Sequence, residues 1–158
     1  MSQVDLGGLH DSPLFENMDA GDLQKLQPLF SVKKVAEGKT IFIENMPGES
    51  LYLIKQGTVQ VSRMLAEGDE QVLLVLGPDD FFGEMAVLDG GKRSATARIA
   101  EDAVLYGLSR KNFDILAEKD PKLGLVLALN IIRVFSARVR NSQKDYRAML
   151  LASLKRNK

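Results

Sequence analysis

The sequence predicts a mainly β fold: a small antiparallel barrel or jelly roll, with short helices before it and one long helix after it. Three observations carry this reading. Apolar residues recur at helical spacing near both ends of the chain, the period falls to about two in between, and Gly, Pro and Asp interrupt that middle stretch at roughly regular intervals.

The elements follow in order. Leu23, Leu26 and Leu29/Phe30 recur at helical spacing behind Asp19, a suitable N-cap, and predict a helix over 19–30. Lys39–Glu44, Ser50–Lys55 and Thr58–Arg63 read as short strands broken by Gly38, by Pro47-Gly48 and by Gly57. Val72–Leu76 and Ala103–Leu108 extend the pattern, with Glu67-Gly68-Asp69 as a hairpin turn. Ser109 then caps a short helix through Glu118. Asp120-Pro121 opens a second, Pro being favoured in the first turn, which runs to about Leu151 and so spans roughly 45 Å. Residues 1–158 are expected to form one domain, with the barrel over about 31–110 and the long helix over about 120–151.

Composition sets the broad class. A chain of 158 residues is large enough for one core, and 45% hydrophobic with 27% charged residues is ordinary for a soluble domain. The longest apolar stretch, Leu123–Ile132, is about half of a bilayer span, so no membrane partner is expected. The N-terminus MSQVDLGGLHDSP carries acids and no basic region, which argues against a signal peptide. With no cysteine there are no disulfides or thiolate metal sites, and a cytoplasmic location is expected. Net charge is zero but unevenly placed. From Arg133 onward eight basic residues face Asp145 alone, giving +7, and this leaves −7 for the first 132 residues. That end is either a solvated helix face or a contact for an acidic partner.

The segment from Phe81 to Ala97 carries the chemistry. Gly83 permits a turn that a side chain would obstruct, and Glu84–Leu88 can form a single helical turn that Gly90-Gly91 stops. The first N–H groups of such a turn can seat an anionic oxygen. Arg93 follows nine residues after Glu84, and its planar guanidinium can hold a phosphate bidentately. Ser94 adds a hydroxyl beside it. A carboxylate at Glu84 would be repelled by a phosphate unless it bonds a sugar hydroxyl, so the set suggests a sugar phosphate or nucleotide. A structural Arg93–Glu84 ion pair is the competing reading of the same two residues.

The run Phe82-Gly83-Glu84-Met85-Ala86 followed by Arg93-Ser94-Ala95-Thr96-Ala97 resembles the phosphate-binding cassette of the cyclic-nucleotide-binding domain family. That family includes catabolite-activator-type regulators, the regulatory subunits of cyclic-AMP-dependent kinase and cyclic-nucleotide-gated channels. Leu51–Val61 is similar to its strand–glycine–strand signature. The resemblance implies a double-stranded β-helix (jelly-roll) barrel and a non-enzymatic sensor whose ligand is cAMP or cGMP, cAMP being preferred. It implies that Arg93, Ser94, Ala95 and the amides of Met85 and Ala86 bind the phosphate, that Gly83 and Glu84 take the ribose 2′-hydroxyl, and that Val61 and Leu73 line the base pocket. Ser94 does not decide between adenine and guanine.

The long helix carries two stripes. Leu125, Leu129, Ile132, Ser136, Val139, Gln143, Tyr146 and Leu150 alternate at spacings of four and three, a heptad seam for a parallel homodimer. Beside it run Ala128, Ile131, Phe135, Arg138, Ser142 and Met149. In the family this helix closes over the purine, which implies that Arg138 and Ser142 contact the base and Tyr146 stacks on it. The alternative leaves Arg138 as a solvated flank and Tyr146 in the dimer seam. Only about eight residues follow Leu150, so the expectation is a stand-alone sensor acting on an unknown effector protein, the alternative being a fragment of a larger chain.

Other classes are weaker. His10 is the only histidine and is placed in an N-terminal segment expected to be mobile, and neither a nucleophile set nor a metal site is expected. A nucleic-acid reading rests on the basic helix alone and sits against a neutral whole. A nucleotide-free interaction module is opposed by the intact Gly83, Glu84 and Arg93.

Overall fold

Asp19 caps the first helix, α1 (Ala20–Leu26), through a capping box. Asp22 N–H donates to Asp19 Oδ1 at 2.8 Å, and Asp19 N–H donates to Asp22 Oδ2 at 3.1 Å. The computed structural model describes residues 3–66 and 68–157. Leu23 and Leu26 bury the inner face of α1, and a 3-10 turn at Gln27–Leu29 ends it. The expected helix over 19–30 thus gives way to a strand at Phe30.

Among the described residues six strands form one antiparallel sheet: β1 (Phe30–Val35), β2 (Thr40–Phe42), β3 (Ser50–Ala66), β4 (Asp69–Leu76), β5 (Phe81–Phe82) and β6 (Thr96–Ser109). The long strands β3 and β6 are its spine, paired from Ser50↔Ser109 to Ser62↔Thr96. On the far edge of β6 lie β1 and then β2, and on the far edge of β3 lie β5 and then β4. Gly57 does not end a strand as expected. β3 runs through it with shifts of register between Ile54 and Val59. Gly57 adopts φ 96°, and a Cβ there would stand 2.5 Å from Asp102 O, so the strand bends only because this residue has no side chain. Ala66 and Asp69 pair across the β3–β4 hairpin. Glu67, expected in that turn, lies outside the described residues, and Gly68 takes the left-handed φ of 79°.

Two apolar clusters fill the molecule. Ile54, Val59, Leu76, Phe82, Ala97, Ile99, Ala103 and Leu105 pack together inside the bent sheet. Leu51, Leu53, Tyr106 and Leu108 pack instead against the helices and the N-terminal segment. That segment is not mobile, as His10 was expected to show. His10 itself is exposed, but Leu6, Leu9, Leu14 and Phe15 around it are buried in the second cluster. Ser12 Oγ donates to Asp79 O at 2.6 Å, and Leu6 N–H donates to Gln27 Oε1 at 3.2 Å. Burying four large side chains outweighs the entropy of a free terminus.

Ser109 Oγ accepts from Asn112 N–H at 3.1 Å and starts α3 (Arg110–Lys119). Asp120 Oδ1 accepts from Leu123 N–H at 3.2 Å, with Pro121 in the first turn of α4 (Pro121–Arg156). The helix has 36 residues, about 54 Å, and ends five residues beyond the expected Leu151. Its first half packs on the body through Leu123, Gly124, Leu127, Asn130 and Ile131. Asn130 Nδ2 donates to Leu14 O at 2.9 Å and to Glu16 O at 2.8 Å, tying helix to N-terminal segment. From Asn141 onward every described residue is exposed.

Candidate functional site

Arg93 stands in the loop before β6, where its backbone is held on both sides. Its N–H donates to Met46 O at 2.9 Å, and its carbonyl accepts from Asn45 N–H at 2.8 Å. The side chain turns inward and is only 6% exposed. Its Nη1 donates to Ser50 O at 2.8 Å and to Gly83 O at 3.1 Å, and its Cζ lies 3.9 Å from the centre of the Phe42 ring. Its Nε is buried and has no hydrogen-bond partner among the described residues. Burial pushes the guanidinium below its ordinary pKa, while Tyr52 and Glu84 act in the opposite sense. The group still remains a cation, because an arginine starts far above neutrality. A buried cation with an idle donor is costly unless something anionic completes it.

The walls are backbone where side chains would collide. A Cβ at Gly48 would overlap Arg93 Nε, and one at Gly83 would come within 2.7 Å of Nη1. Gly83 has φ 80° and precedes α2 (Glu84–Asp89), the single turn expected here. It provides no side-chain cap, so the first amides of α2 keep their donors. Gly90, at φ 68°, closes α2 as the sequence suggested.

Glu84 does not pair with Arg93. It is buried, and its Oε1 accepts from Arg138 Nη1 of α4 at 3.3 Å. Arg138 Nη2 also donates to Phe81 O at 2.5 Å. Arg138 is therefore not a solvated flank. It joins the long helix to the carboxylate of the cassette.

The remaining sequence-predicted residues divide. Met85 is half-buried, Ala86 and Ala95 are buried, and Ser94 is exposed next to Arg93. Val61 is partly buried against the inner cluster and lies opposite Leu74, which packs there too. Leu73 is 47% exposed, and the register skips it between Val61 and Ser62. Ser142 and Tyr146 lie further along α4. Both are exposed, Tyr146 to 60%, and no hydrogen bond ties either to the cassette among the described residues. The structure brings Gly83, Glu84, Met85, Ala86, Arg93, Ser94, Ala95 and Arg138 together, and leaves Ser142 and Tyr146 apart from them. Sequence reasoning missed Phe42, Gly48 and Ser50. The only signal was Pro47-Gly48, which reads equally well as a turn. Phe42, Tyr52 and Phe82 form an aromatic trio with centroids 5.6–6.4 Å apart beside the Arg93 guanidinium. Among the described residues no cluster of His, Cys, Asp and Glu could hold a metal, and no helix is long and apolar enough to cross a membrane.

Comparison with known proteins gives concordant findings. Residues 32–120 match the model of the cyclic nucleotide-binding domain. The chain is 34% identical over 134 residues to a cyclic AMP receptor protein of Thermus thermophilus, covering 85% of this chain and 60% of that one. It thus spans less than two thirds of that relative's length. A cyclic nucleotide-binding domain from Methylobacillus flagellatus superposes with a TM-score of 0.80 at 25% identity, covering 89% of this chain and 79% of the other. The regulatory domain of Toxoplasma gondii PKA, solved with cAMP, superposes with a TM-score of 0.62 at 33% identity, covering 69% of this chain and 41% of that one. The six-stranded sheet and its flanking helices match the jelly-roll fold of these neighbours.

Proposed function

This chain belongs to the cyclic nucleotide-binding domain family, and from that premise we propose that it is a non-enzymatic sensor that binds cAMP in preference to cGMP and signals to a protein partner through α4. Residues 1–158 act as one ligand-binding unit in this reading. The observation that carries it is Arg93: a buried guanidinium, fixed by two backbone carbonyls, with one donor left over. A cyclic phosphate supplies both the charge and the acceptor that this group lacks, with Ser94, Ala95 and the amides of Met85 and Ala86 adjoining. Gly83 and Glu84 take the ribose 2′-hydroxyl, and Val61 with Leu73 borders the base.

The preference for cAMP rests on the Thermus relative, described as a cyclic AMP receptor protein, and on the Toxoplasma domain solved with cAMP. The cysteine-free sequence is compatible with the cytoplasm as its place of action. Signalling through α4 is supported by the Glu84–Arg138 contact, since a sugar that competes for Glu84 shifts the balance of helix positions by its differential affinity. The exposed seam of α4 leaves it free to pair with another helix, and by heptad spacing alone a second copy would serve.

A thermal-shift series with cAMP, cGMP and a cyclic dinucleotide tests this. At a hundred times its dissociation constant a true ligand adds about 2.7 kcal/mol of stability. The reading expects the largest shift with cAMP. No shift with any of the three would leave a nucleotide-free interaction module.

A further inference from the structure

The face that α4 turns away from the body is more specific than a seam of leucines. With Leu125, Ile132, Val139 and Tyr146 at d and Leu129, Ser136, Gln143 and Leu150 at a, three successive e positions beside the seam, between Val126 and Leu154, are Arg133, Arg140 and Arg147. All three are exposed, and none makes an ion pair among the described residues. The one hydrogen bond in the column, Arg133 Nη1 to Asn130 Oδ1 at 3.0 Å, is to a neutral amide and leaves the charge uncompensated. In a parallel pair each e residue meets the preceding g residue of the other helix. A second copy would offer Ala128, Phe135 and Ser142 there, with no carboxylate among them. An antiparallel second copy would set one arginine column against the other. Arg140 and Lys144, four apart, repel further within the free half of the helix, where Asp145 is the only acid.

We propose that the seam face of α4 docks a parallel amphipathic helix of a different protein, one that carries Glu or Asp at its g positions. The apolar seam supplies the contact area, and the column Arg133, Arg140 and Arg147 selects for charge. This names the partner class of the sensor proposed above and rests on that reading only for its regulation.

The test uses the full chain and two synthetic 28-residue heptad peptides with identical a and d residues, one with Glu and one with Lys at g. Calorimetry at low salt is expected to show the Glu peptide binding roughly ten- to a hundredfold more tightly, from three exposed charge pairs. The variant Arg140→Glu/Arg147→Glu should reverse that order. Equal binding of the two peptides overturns the proposal. So does a salt-insensitive homodimer that neither peptide displaces, or tight binding to vesicles of 30% anionic lipid without any preference between the peptides. The cAMP thermal shift, measured on the same samples, reports the sensor reading separately: a missing shift with the peptide preference intact sinks only the nucleotide.

Discussion

Replacing Arg93 by methionine separates what this residue does for ligand from what it does for the fold. Methionine has similar reach, keeps the packing on Phe42 and carries no charge to desolvate. The ligand-free protein loses the two bonds from Nη1 to Ser50 O and Gly83 O, at 2.8 and 3.1 Å, and leaves those carbonyls without that donor. It also sheds a buried cation whose Nε has no partner. These effects oppose each other, and the expected net change in stability is within about 1–2 kcal/mol. Binding has no such offset. Loss of a buried charge-assisted contact to phosphate removes about 1.5–3 kcal/mol, so affinity should fall roughly ten- to a hundredfold. Titration calorimetry with cAMP reads the affinity, and denaturant unfolding without ligand reads the stability. Affinity within twofold of the parent, in a variant that unfolds normally, would refute the assignment of Arg93 to the phosphate.

Two further outcomes are expected. Asn130→Leu removes the donor to both Leu14 O and Glu16 O inside the buried joint, and should destabilise by about 1–3 kcal/mol for each carbonyl that finds no water; limited proteolysis should then cut first within residues 4–18, and unchanged protection would count against this joint. Glu70 accepts from Ser62 Oγ and from Arg98 Nη1 at 2.6 Å, and these hold its pKa below the ordinary 4.5. A lowered folded pKa adds stability that is fully present above 4.5 and is lost as pH falls through the depressed value. The stability difference between the parent and Glu70→Gln should therefore shrink on acidification, and an NMR titration midpoint at or above 4.5 would contradict it.

The parts of the site that were legible in the sequence are those that lie close together along it. Gly83, Glu84 and Arg93 fall within one turn and one loop, so residue type and spacing were enough to suggest anion binding. The wall that receives Arg93 comes from Phe42, Gly48 and Ser50, roughly forty to fifty residues earlier, and the pairing of β2 and β3 with β6 brings it there. The same distinction explains the strands. β1 has a weak alternation, FSVKKV, and exists because β6 offers it a partner from Phe30↔Leu108 to Val35↔Ala103. Gly57 reads as a break in sequence because a bulge and a turn ask for the same residue. Arg138 was correctly singled out as polar on an apolar stripe, but its partner Glu84 lies 54 positions away and no periodicity could name it.

The joint at Asn130 also makes α4 a lever. It is pinned to Leu14 and Glu16 through Asn130, so a rigid tilt pivoting on that joint would turn about a fulcrum near Ile131. Arg138 then lies about 10 Å along the arm and Arg156 about 37 Å along it, at 1.5 Å per residue. A displacement of about 1 Å where Arg138 grips Glu84 would sweep the tip through nearly 4 Å, a gain set by helix length alone. Spin-label distances from Ser153 to the barrel, with and without nucleotide, would register that sweep or show that the arm bends instead.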